Sequence, residues 1–145
     1  FTSATDANTA KTVSFQAYSD FNLTVVGGTD DTAGAKIVSA TMYDALDTAV
    51  STVADAKKIV VVFDIAMNKT SAETASNWSG DASGTISTAT LSDDGKTLTL
   101  VVNAAFADSE AFSDFSAVTT VDGGNITTTS VTFNDDSSTA TIVQA

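Results

Sequence analysis

Apolar residues recur at every second position in short runs along this chain, which is the period of half-buried strands and not of helices. Val13, Phe15 and Ala17 alternate with polar neighbours, and Phe21, Leu23 and Val25 repeat the pattern. Gly27 to Asp31 forms a turn cluster, and Ile37 to Tyr43 predicts a third strand. The run Ile59 to Ile65 (IVVVFDI) is short and β-branched, which predicts a central strand buried on both faces or nearly so. Between Asn68 and Trp78 the period changes, and Thr70 or Ser71 is placed to cap a short helical turn near residues 70–76.

Two hairpins follow. Ile86 to Leu91 leads into Ser92-Asp93-Asp94-Gly95, and Lys96 to Val102 returns; Asp-Gly between alternating runs is a strong local hairpin signal. Ile126 to Phe133 and Thr139 to Val143 flank Asn134-Asp135-Asp136-Ser137 with the same logic. The stretches TLSDDGKTLTLV from Thr90 and TFNDDSSTATIV from Thr132 align without a gap. They read either as convergence on one turn recipe or as an internal duplication. Residues 1–11 are small, polar and without period, and predict an extended arm ahead of one domain spanning 1–145.

Charge sharpens this picture. The chain holds 145 residues and 18 acids against six lysines, for a net charge of −12. Sixteen acids are Asp, which favours turns, so the acids are expected in loops. The acidic balance opposes nucleic acid, which needs a basic footprint. Arg, His and Cys are absent, which removes bidentate phosphate clamps, imidazole chemistry and thiolate chemistry. A serine triad of the usual kind is excluded with them. No stretch has the ~18 consecutive apolar residues of a membrane helix, so no membrane insertion is expected. The chain begins at Phe1, which is read as removal of a leader or as excision from a longer protein.

The acids are the first candidate for chemistry. Asp30-Asp31, Asp93-Asp94 and Asp135-Asp136 are adjacent pairs, and Asp108 with Glu110 and Asp122 near Asn125 add oxygen ligands. Calcium takes six to eight such oxygens, so loop clusters of this kind are candidate calcium sites; the competing reading is turn formation and solubility. A glycosidase pair of carboxylates is a weaker reading, because no acid is singled out by an apolar pocket. Sequons at Asn22, Asn68, Asn77 and Asn125 are candidate glycan acceptors in an exported chain, or chance matches in a chain rich in Ser and Thr. The amino-terminal segment is a candidate for strand exchange with a neighbouring copy, with Phe1, Val13 and Phe15 as the inserted side chains; the alternative is an ordinary first strand. Trp78 is read mainly as core, with a sugar-stacking platform as the alternative.

IVVVFDIAMNKTSAETASNWS resembles a stretch of the bacterial and archaeal Ig-like domains of surface-layer, filament and adhesin proteins. The matching positions are Phe63, Ala66, Met67, Asn68, Ser71, Ala72, Asn77 and Trp78, and the resemblance runs from about Lys36 to Phe133. The family's Gly-x-x-Tyr step is missing, with Phe112 and Phe115 in its place, and the chain has no Pro. The resemblance implies an all-β, Ig-like antiparallel sandwich of about 8–10 strands. It also implies a structural, assembly or adhesive role with no catalysis. The expectation is therefore an extracellular, self-associating subunit of a filament or surface layer, with calcium as the one expected ion. The second reading is an adhesin or carbohydrate-binding module that takes cell-surface glycans.

Overall fold

The computed structural model describes residues 34–145 and the backbone of residues 11–14 and 22–25. The chain divides into two compact units, Phe1–Ala33 and Gly34–Ala145. In the first, β1 (Lys11–Ser14) pairs antiparallel with β2 (Asn22–Val25), placing Val13 opposite Leu23.

The second unit is an all-β sandwich with little helix. Its larger sheet holds β3 (Ile37–Tyr43), β4 (Lys58–Phe63), β5 (Thr85–Leu91) and β6 (Thr97–Ala104) in the order β3-β4-β6-β5. Its smaller sheet holds β7 (Glu110–Phe112), β8 (Thr128–Phe133) and β9 (Thr141–Gln144) in that order. All these strand pairs are antiparallel. Period-2 alternation sends Ile59, Val61 and Phe63 of β4 inward, and Leu98 and Leu100 of β6 beside them. From the other sheet come Val131 and Phe133, each fully buried.

β4 corrects one expectation. It is central, but only one of its faces is buried: Lys58, Val60 and Val62 remain half-exposed. Asp64 and Ile65 fall outside the strand. β-branched residues favour any pleated surface, so a run of valines does not report two-sided burial. β7, which the pattern did not predict, is three residues long and buried throughout, so it has no polar face to alternate.

The helical turn is α1 (Lys69–Ala72), followed by a single 3-10 turn at Ala75–Asn77. Its cap is Asn68, not Thr70 or Ser71: the Asn68 side chain accepts from the Ser71 N–H at 3.1 Å. This turn seats Trp78, whose indole N–H donates to the Ala72 carbonyl at 2.9 Å. Trp78 is 1% exposed. Its ring lies 6.1 Å from each of Phe63, Phe112 and Phe115, so it bridges the two sheets as core and is no sugar platform. Phe106, Phe112 and Phe133 extend the cluster with centroids 5.2 to 5.6 Å apart. Such tilted and edge-on pairs match the ring quadrupole.

Candidate functional site

The sandwich has two seams, and the acidic residues distribute around them. At one seam the last strand serves both sheets. Thr139 bridges Thr41, with Met42 N–H donating to Ser138 and Ala140 N–H donating to Ala40, each at 2.8 Å. Two residues later the same strand pairs with β8, Thr141 facing Thr132. The far end of β3 is tied by a parallel bridge from Ala35 to Ile126 and by the Gln144 amide, which donates to the Ile37 carbonyl.

At the other seam, the loop after Ser79 leads into β5 and lies against β7. Ser79 bridges Thr85, and Asp81 N–H donates to the Ala111 carbonyl of β7. Glu110 holds this loop. Its Oε1 accepts from the backbone N–H groups of Ala82, Ser83 and Gly84, and its Oε2 accepts from Ala107 N–H and the Ser83 hydroxyl. Glu110 is 2% exposed. Burial pushes its carboxyl up, but the N–H groups of Ala107, Gly84, Ser83 and Ala82 outweigh that and hold it below the ordinary glutamate range. Gly80 and Gly84 allow the close wrap, since a Cβ on Gly80 would collide with the Glu110 carboxylate and one on Gly84 with the Phe106 ring.

The candidate acids do not converge. Among the described residues, no group of three or more His, Cys, Asp or Glu side chains gathers to hold a metal ion. Asp94 accepts from the Ser92 hydroxyl and from Lys96 N–H, which together hold its carboxyl below the ordinary range. Asp135 Oδ1 accepts from Val53 N–H at 2.8 Å, and Asp108 Oδ1 accepts from Asp135 N–H at 2.8 Å. Asp136 sits in the left-handed region at φ 76° and its N–H donates to the Ser51 carbonyl. Asp93 and Asp122 are exposed in separate loops. Asp30 and Asp31 lie outside the described residues, as do Phe1 and Phe15.

Of the sequons, Asn68 caps α1, and Asn77 Nδ2 donates to the Ser71 and Ala117 carbonyls. Asn125 is exposed, with its carbonyl accepting from Ala35 N–H. Asn22 lies in β2, where only the backbone is described. Asp is nearly absent from the strands. Neither sheet of the second unit carries an acid in a strand except Glu110, and the other acids among the described residues lie outside the strands, Asp55 in a short 3-10 turn. Glu110 is the residue that sequence reasoning placed in the wrong company. The signal available for it was its position: the acid opens the buried triplet Glu-Ala-Phe, between the loop serines and an aromatic run.

No helix among the described residues is long and apolar enough to cross a membrane. No family model matches this chain, and no curated protein matches it. Among solved structures, the crystal structure of the S-layer protein rSbsC(31-844) is similar, with a TM-score of 0.51 and 19% identity. The likeness covers 70% of this chain and 13% of that one, so the chain spans a small fraction of the protein it matches. At that identity the likeness is one of fold.

Proposed function

We propose that this chain is a structural module of an extracellular surface assembly, of surface-layer type, and not an enzyme. The observation that carries the reading is the shared sandwich fold with a segment of an S-layer protein. The amino-acid inventory supports it: without His, Cys or Arg, the common acid–base, thiolate and phosphate-clamping chemistries lack their residues. The buried Glu110 carboxylate is committed to backbone N–H groups and builds the fold. In this reading the domain is Ig-like, copies associate with one another, and the amino-terminal segment contributes strand contacts through Phe1, Val13 and Phe15. Calcium at the Asp loops would offset the repulsion between copies carrying −12 each.

Electron microscopy of the purified protein with calcium and with chelator tests the proposal. Ordered sheets or filaments are expected, and their loss in chelator would assign the Asp loops to the contacts. A stable monomer in both conditions would overturn self-assembly and favour the adhesin or glycan-binding reading.

A further inference from the structure

The outer face of the larger sheet is the broader of two acid-free sheet faces among the described residues. None of its four strands contains an Asp or Glu. Strand pairing lines up its outward residues in rows, Thr41–Val60–Thr99–Thr90 in the middle and Tyr43–Lys58–Val101–Thr88 toward one end. Lys58 is the one charged side chain between those rows and Val62, and it is paired with Asp47. Val101, in the second of these rows, is 40% exposed. The acids of the surrounding loops form a rim.

We propose that this face is a contact between two copies of the chain, packed sheet against sheet about a two-fold axis. The inference rests on the surface-assembly reading and specifies one of its contacts. The charge distribution favours a second copy over a basic partner. Two copies at −12 repel wherever their loops meet, and the broad Thr/Val face lets them approach with no strand acid opposed, the nearby Asp47 being paired with Lys58. A β-branched sheet face can also pack against its own two-fold copy, as one sheet packs on another in a sandwich. A basic partner would be drawn to the rim and not to this neutral centre. Four strands about 4.8 Å apart and about 23 Å long offer roughly 450 Å² per copy, about 900 Å² in all, which falls short of the roughly 1,000 Å² of a stable specific interface. The contact is therefore weak alone and suited to repetition in an array. The face of the smaller sheet has three strands, of which β7 spans only Glu110–Phe112, and offers less.

The charge pattern sets an unusual salt dependence. Salt shortens the reach of the rim charges, from a Debye length of about 10 Å at 0.1 M to about 3 Å at 1 M, and leaves a contact between uncharged Thr and Val side chains intact. This pairwise contact should therefore strengthen with sodium chloride and need no calcium of its own at matched ionic strength, whatever the wider array requires. Sedimentation of the full chain at low and high salt reads this directly. Val60→Asp places facing acids at the centre and should weaken association at least about tenfold. Val121→Asp makes the same exchange at an exposed loop valine and should leave association unchanged; thermal unfolding checks that both variants fold.

Since the chain has no cysteine, Thr99→Cys supplies a second readout that does not perturb charge. It should cross-link between copies at high salt with a bis-maleimide whose spacer spans the roughly 10 Å between stacked sheets, each thiol adding across one maleimide double bond, and Val121→Cys should not. Association that survives Val60→Asp overturns this face while leaving surface assembly standing. Dimers formed through the face without any ordered array would do the reverse. A monomer at high salt whose Thr99→Cys thiol resists alkylation also overturns the proposal, the face then being covered within one chain.

Discussion

The hairpins at 90–101 and 132–143 share a sequence recipe and even a register. Thr90 faces Thr99 in one, and Thr132 faces Thr141 in the other, nine residues apart in both. Their fates differ. The first stays with its own sheet and the segment that follows β4: Asp94 binds only Ser92 and Lys96 beside it, Gly95 takes the left-handed turn position at φ 73°, and its carbonyl accepts from Met67 N–H. The second is drawn into the tertiary structure. Its Asp135 fixes Val53, its Asp136 N–H reaches Ser51, and its returning strand splits between β3 and β8. Each hairpin is also flanked by one of the chain's two glutamates. Glu73 accepts a single N–H, from Leu91, whereas Glu110 faces Phe133 and gathers the loop at the second seam. One local recipe thus yields a turn held at the end of its own sheet in one place and a joint between sheets in the other, according to what surrounds it.

The aligned residues Leu91 and Phe133 give the strongest test of that difference. Phe133→Ala removes a fully buried ring packed on Phe106 and Phe112, and should cost about 4 kcal/mol. Leu91→Ala, at a site 7% exposed, should cost about 2 kcal/mol. Urea unfolding of the two variants measures both; equal losses would mean that the second hairpin is no more deeply embedded than the first.

The glutamates come next. Glu110→Gln exchanges a charged acceptor of several N–H groups for a neutral one and should cost about 2–3 kcal/mol, against under about 1 kcal/mol for Glu73→Gln. The pH dependence separates them further. Glu110 titrates below the ordinary glutamate range when folded, so the unfolded chain binds its proton first. Its contribution is full above the ordinary glutamate pKa and is lost as pH falls through the lower, folded value. Stability of the native chain should therefore fall on acidification through that window, and Glu110→Gln should flatten this acid limb. An unchanged slope would place the ionised form of Glu110 outside the source of stability.

Asp135→Ala leaves the buried Val53 N–H without its acceptor and should cost about 1–2 kcal/mol, whereas Asp93→Ala, at the aligned position, should change stability by less than about 0.5 kcal/mol. The smallest effects are at the turns. Gly95→Ala strains a left-handed residue and brings a Cβ to 3.1 Å from that of Ala66, for about 1 kcal/mol. Asp136→Gly relieves a left-handed Asp and should be neutral or stabilising by under about 0.5 kcal/mol. Opposite signs in thermal unfolding would show that the left-handed position has moved one residue between two turns of nearly the same sequence.

Alternation and turn chemistry were enough, in the sequence, to place β3 and both arms of each later hairpin, and the excess of Asp over Glu foretold acids in loops. Those are properties of a residue and its near neighbours. The two seams were not legible there. That Ser138 to Ala140 would lie along β3 while Thr141 to Gln144 pair with β8 depends on where the sheets come to rest. Likewise Val60 and Val62 carry the same chemistry as Ile59 and Val61, and only the stacking of the second sheet decides which side is buried. Glu110 is the clearest case. An acid beside a loop reads as a solvated ligand, and it becomes a buried acceptor because residues 82–84, far from it in sequence, bring their N–H groups to it. Desolvating a carboxylate is unfavourable until such donors are present, and that condition exists only in the folded sandwich.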